Sequence, residues 1–247
     1  MNAIYILWLR SLKRYFRNRS RIIGSLGQPL LFLVALGLGF GPIYAKAGGG
    51  NYINILAPGV IAMSILFTGI FNGVEIIWDR QFGFLKETMV APVSRFEIML
   101  GRTLGGATVA IIQGIVVLVL TVLIGFRPNL LDVPLSVLFM LLIALLFTGL
   151  GTAIGSMLND MQGFQLIMNF IVQPIFFLSG ALFPLNGLTG PIEIITKIDP
   201  LAYGVDGLRA TLAGTGGYGV GLDLLVLSVL SAILLGIGSY LFSKIQI

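Results

Sequence analysis

Apolar residues gather in six long runs, roughly 22–44, 56–76, 103–125, 135–157, 163–183 and 222–243, with short polar stretches between them. Each approaches the ~20 residues that a helix needs to cross the hydrocarbon of a bilayer. Runs of that length satisfy their own backbone groups only as helices, so a barrel of alternating strands is excluded. The pattern predicts an all-α integral membrane protein with six transmembrane helices, in one domain over 1–247.

Two polar stretches predict elements of their own. Over 1–20 the positions sort around a helical wheel. Ile4, Leu7, Trp8, Leu12, Tyr15 and Phe16 share one face, and Arg10, Lys13, Arg14 and Arg17 the opposite one. This spacing predicts an interfacial helix with its basic side chains toward lipid phosphates; a plain basic anchor for the first span is the alternative. Between spans two and three, residues 82–92 read FGFLKETMVAP. After Gly83, apolar Phe84, Leu85, Met89 and Val90 alternate with Lys86 and Glu87, and the residue before Pro92 is steered out of the α region. A short amphipathic helix there suits docking into a groove on a cytoplasmic partner.

Composition narrows the chemistry. The chain has 247 residues, 57% hydrophobic and 10% charged, with no cysteine and no histidine. That excludes thiol chemistry, the usual zinc ligands and the commonest general base. Eleven lysines and arginines fall in the terminal and 78–102 segments; four (Lys46, Arg127, Lys197 and Arg209) fall in the opposite loops. The imbalance places both termini in the cytoplasm and makes the basic excess a topology signal, with no nucleic-acid partner implied.

Polar groups at membrane depth are costly and face a bundle interior or a cavity. Span five carries Gln162, Gln165, Asn169 and Gln173 at helical spacing, and span two carries Ser64, Thr68, Asn72 and Glu75. Either stripe lines a path or glues helices together. Span four, with Thr148, Thr152 and Ser156 beside Gly151 and Gly155, reads as tight packing. Pro174 should kink span five, which Ser179, Gly180 and Pro184 then end. Within the outer region 184–221, residues 190–212 are too apolar to be freely solvated, and predict two short helices dipping into the outer leaflet, broken at Asp199-Pro200. Asp206 and Arg209, three apart, are placed for a local ion pair.

The stretches DRQFGFLKETMVAPVSRFEIMLGR and PIFFLSGALFPLNGL…IDPLAYGVDGLRATL resemble type-2 ABC transporter permeases, closest in flavour to the drug- and lipid-exporting branch. The resemblance spans essentially the whole chain. It implies a coupling helix at Gly83, Phe84, Leu85, Lys86, Glu87, Met89 and Pro92, seated on an ATPase. It implies a translocation path between spans two and five, at Asn72, Gln165, Asn169 and Gln173. It also implies re-entrant helices and an outer gate around Ser179, Gly180, Pro184, Pro200 and Arg209. The expected assembly is a homodimer with two ATPase copies, which hold ATP and magnesium; this chain has neither cofactor, metal site nor catalytic residue. The sequence offers no G-x-x-x-x-G-K-[ST] phosphate loop, and GTGGYG at 214–219, lacking a preceding strand, reads as a flexible loop. The expected activity is export of a drug, lipid or lipid-linked glycan through the plasma membrane. An ion-coupled secondary carrier is the alternative, though neither midplane carboxylates nor inverted repeats are visible.

Overall fold

The structure, a computed structural model, describes residues 3–85, 92–184 and 190–245. Helix α1 spans Ala3–Arg17. Six helices are long and apolar enough to cross a membrane: α2 (Ile22–Lys46), α3 (Ile53–Gln81), α4 (Arg95–Leu123), α5 (Leu130–Met157, opening on a 3-10 turn), α6 (Met161–Leu178) and α9 (Val220–Ser243). Between the last two lie α7 (Pro191–Ile198) and α8 (Pro200–Ala213), which meet at Asp199. No strand occurs among the described residues.

The core is built around α3, where Leu56, Val60, Ile61, Met63, Ile65, Leu66 and Ile70 are fully buried. Its neighbour α5 comes so close because both helices present glycine at the crossing. A Cβ on Gly73 would overlap the Gly151 carbonyl, and one on Gly155 would overlap that of Gly73. Close backbone approach through small residues is the membrane substitute for hydrophobic driving force. The Thr148 face of α5 lies at this contact, Thr152 Oγ1 donating to the Thr148 carbonyl at 2.9 Å and Ser156 Oγ to that of Thr152 at 2.7 Å.

Helix α1 differs from its expected setting. Its apolar side packs on protein, where Gly101 and Gly105 of α4 let Ile4, Leu7 and Ser11 approach closely. Trp8 Nε1 donates to Thr108 Oγ1 at 3.0 Å, and the Tyr15 hydroxyl to Gln113 Oε1 at 2.7 Å. Phe16, counted on the same face, points outward and is 57% exposed. Two basic residues also turn inward instead of toward lipid. The acids that draw them, Glu75 and Asp79, lie far along the sequence in α3.

The peripheral spans are α2 and α6. Each contains a π-helical stretch, Leu33–Phe40 and Met168–Val172. In α6 this stretch sits just before Pro174, which cannot donate a backbone hydrogen bond. The wider turn rearranges the bonding there, and the Gln173 amide reaches back to the Met168 carbonyl. Both spans leave large apolar side chains uncovered, among them Leu31 and Leu38 on α2 and Leu166 and Phe170 on α6.

Candidate transport path, outer cap and coupling surface

Span five's amides do not meet span two's. Gln165 and Asn169 are exposed on α6, and Gln173 is half-buried. Asn72 is buried on a different side of α3, where a Cβ on Gly106 of α4 would collide with its amide. Of the polar stripe on α3, Ser64, Thr68 and Glu75 line the roomiest space. With Gln28 of α2, and with Phe67, Phe71 and Trp78, they wall a cavity of about 720 Å³. The Ser64 hydroxyl oxygen is buried without a partner among the described residues. Two aromatic pairs, Phe71–Phe164 at 6.0 Å and Phe67–Phe176 at 5.9 Å, place α6 against the same edge of α3. The aromatic residues Phe67, Phe71 and Trp78 mark the wider cavity on α3, a signal that the polar spacing did not use.

At the other end of α6, the Ser179 hydroxyl donates to the Phe176 carbonyl at 2.8 Å and accepts the Ala181 amide at 3.2 Å. Gly180 follows with φ +76°, in the left-handed region where a side chain is strained. Arg209, 4% exposed, lies under this turn and donates to the carbonyls of Gly180 (2.8 Å) and Ile55 (3.4 Å). It thus ties the ends of α3 and α6 to α8. Asp206 does not pair with Arg209 as expected. Its carboxylate accepts the Gly217 and Tyr218 amides at 2.8–2.9 Å, so the glycine-rich 214–219 loop is pinned down. Pro184 lines a smaller cavity of about 230 Å³ beside Asp206 and Arg209.

Pro200 opens α8, and Asp199 caps it by accepting the Leu201 amide at 2.8 Å. Burial pushes the Asp199 carboxyl up to about 7, against the downward pull of its amide donors. A carboxyl whose folded value is raised stabilises the fold fully below its unfolded value near 3.8, and that contribution is lost as pH rises through about 7. Asp199→Asn keeps the cap and removes the titration. The melting temperature of detergent-solubilised wild type should therefore fall across that window relative to the variant, whose profile should be flatter. Parallel profiles would contradict the assignment.

On the side of α1, the chain between α3 and α4 is described only at its ends. Gly83 turns it with φ +81°. Leu85, expected on a docking face, is instead 1% exposed, in a cluster with Ile76, Ile98, Met99, Phe242 and Ile245. Phe82 and Phe84 are 73% and 48% exposed. Lys86, Glu87 and Met89 lie outside the described residues, and Pro92 is exposed just after them. Ser94 and Glu97 then form a capping box that restarts the helix as α4.

Charged residues tie these pieces together in ways that spacing did not reveal. Asp79, 3% exposed, binds Arg102 of α4, and Arg10 and Arg14 of α1 each stand 3.7 Å from its other oxygen. Arg14 also meets Glu75 at 3.1 Å. Arg80 caps the end of α5, donating to the Ser156 (2.9 Å) and Leu158 (3.1 Å) carbonyls and to Asn159 Oδ1. Arg95 does the same for α9, at the carbonyls of Ser243 (2.6 Å) and Ile245 (3.0 Å). Cations at helix C-termini complement the partial negative charge there. Local spacing gave no signal for either contact, since Arg80 caps a helix other than its own and Arg95 stands in the first turn of α4.

Comparison with known proteins places the sequence in a family. Residues 2–213 match the family described as ABC-2 type transporter. The chain is 28% identical over 209 residues to Nodulation protein J of Rhizobium meliloti (strain 1021), covering 82% of this chain and 78% of that protein. It is 30% identical over 219 residues to the putative transport permease ycf38 of Pyropia yezoensis, covering 85% and 73%. The chain, a multi-pass membrane protein, belongs to the ABC-2 type transporter permeases, the membrane-spanning partners of ABC ATPases.

Proposed function

We propose that this permease exports an amphipathic molecule, a drug, lipid or lipid-linked glycan, from the cytoplasm across the plasma membrane, with both termini cytoplasmic. It acts as a homodimer on two ATPase copies, which carry the ATP and magnesium. The observation that carries this reading is the outward amide stripe of α6. Gln165 and Asn169 are uncovered within the protomer, and amides are costly against lipid. A path shared with a second copy hydrates them, and the cavity beside Phe67 and Phe71 offers the apolar half of an amphipathic route.

Asn169→Leu and Gln173→Leu test this directly. Each should lower export by roughly tenfold, the equivalent of ~1.4 kcal/mol of lost contact, or shift its selectivity, while chromatography still shows the assembled complex. Unchanged transport of several substrates would reduce the stripe to helix packing.

For the coupling surface, exposure selects Phe82 and Phe84 as the contact with the ATPase. Phe82→Asp with Phe84→Asp should lower ATPase co-purification by roughly tenfold or more, as expected when aromatic anchors of an interface are lost. Leu85→Asp should instead destabilise the permease itself, because its site is internal. Full recovery of ATPase with the phenylalanine pair replaced would remove this surface from the contact.

A further inference from the structure

We infer that the outward face of α1 binds the head group of an anionic phospholipid. The proposal takes from the proposed sidedness only that the leaflet is the cytoplasmic one. Packing on α4 uses one side of α1, leaving a concavity of about 860 Å³ lined by Ile6, Leu9, Lys13 and Arg17, by Arg10 and Arg14, and by Asn18 at its end. Ile6 is 45% exposed. The four cations are not equivalent. Arg10 and Arg14 lean toward Asp79 and Glu75, whereas Lys13 and Arg17 are exposed with no carboxylate partner among the described residues.

Lys13 and Arg17 are four apart on one helix, so their head groups can converge on a single phosphate. Ile6 and Leu9, one to two turns earlier on the same side, continue the site in apolar character and suit the start of an acyl chain. A zwitterionic head group would bring its ammonium among cations, which selects an anionic one. A free phosphate would satisfy the cations but leave Ile6 and Leu9 in water, which selects a lipid.

The test uses the full chain, delipidated in neutral detergent, titrated with phosphatidylglycerol, phosphatidylcholine or inorganic phosphate, with bound lipid read by native mass spectrometry. It needs neither ATPase nor cargo, so its outcome is separate from that of the export reading. Phosphatidylglycerol should bind saturably and be retained over phosphatidylcholine. Lys13→Gln with Arg17→Gln should weaken it by roughly tenfold or more, the scale of two lost juxtamembrane cations. Ile6→Ser should weaken it without a change of charge. Arg19→Gln, a nearby cation outside the concavity, should change it far less than the pair does. Equal retention of phosphatidylcholine, inorganic phosphate displacing the lipid, or an Arg19→Gln effect as large as the pair's would each overturn the site.

Discussion

Asp79→Asn should lower the stability of the permease by about 3–5 kcal/mol, the cost of leaving a buried charge without its partner. The stranded charge is Arg102, 7% exposed, whose guanidinium has no other acidic partner within 4 Å among the described residues. The same change removes an anchor of Arg10 and Arg14, so α1 should loosen from α3 as well. Adding Arg102→Gln should recover part of the loss, because the double variant leaves no buried charge unpaired; the coupling energy from such a cycle isolates the pair. Thermal unfolding in detergent measures all three. A single-variant loss below about 1 kcal/mol, the value of an exposed pair, would show that water reaches Arg102.

Gly73→Leu should yield no folded chain. Its first side-chain atom would overlap a backbone carbonyl of α5, and backbone cannot swing aside as a side chain can. Even Gly73→Ala should cost ~1–3 kcal/mol or more, the usual penalty of overpacking. Gly24→Ala and Gly236→Ala supply the contrast, since nothing lies within 4 Å of a Cβ at either site. There, removing a flexible residue from a helix should be neutral or stabilising by up to ~1 kcal/mol. Size-exclusion profiles and melting temperatures separate these outcomes, and a well-folded Gly73→Leu would mean that α3 and α5 can part without loss.

The spans were legible because hydropathy reports membrane depth directly, yet α3 and α4 both run past the apolar windows that announced them. Their extra turns carry Asp79, Arg80, Arg95 and Arg102, residues that read as loop while their partners were unknown. The same blindness sent Arg10 and Arg14 to lipid: Arg14 and Glu75 lie 61 positions apart, beyond any pattern of local spacing. Leu85 illustrates a converse failure. An amphipathic segment shows that one face will be covered, but not by what: the cluster draws on α3, the start of α4, the end of α9 and the chain just past it. Asp206 and Arg209 had the right spacing for an ion pair, and the loop amides of Gly217 and Tyr218 took the carboxylate instead.

The arginine caps have a mechanical consequence. Arg80 fastens the last turn of α3 to the end of α5, and Arg95 fastens the first turn of α4 to the end of α9. The segment between them is therefore strapped at both roots to other spans. A push on that segment would be shared by α3 with α5 and by α4 with α9, so helix pairs rather than single helices would take the load. By contrast α2 and α6, with π-helical stretches and uncovered flanks, stand outside both straps.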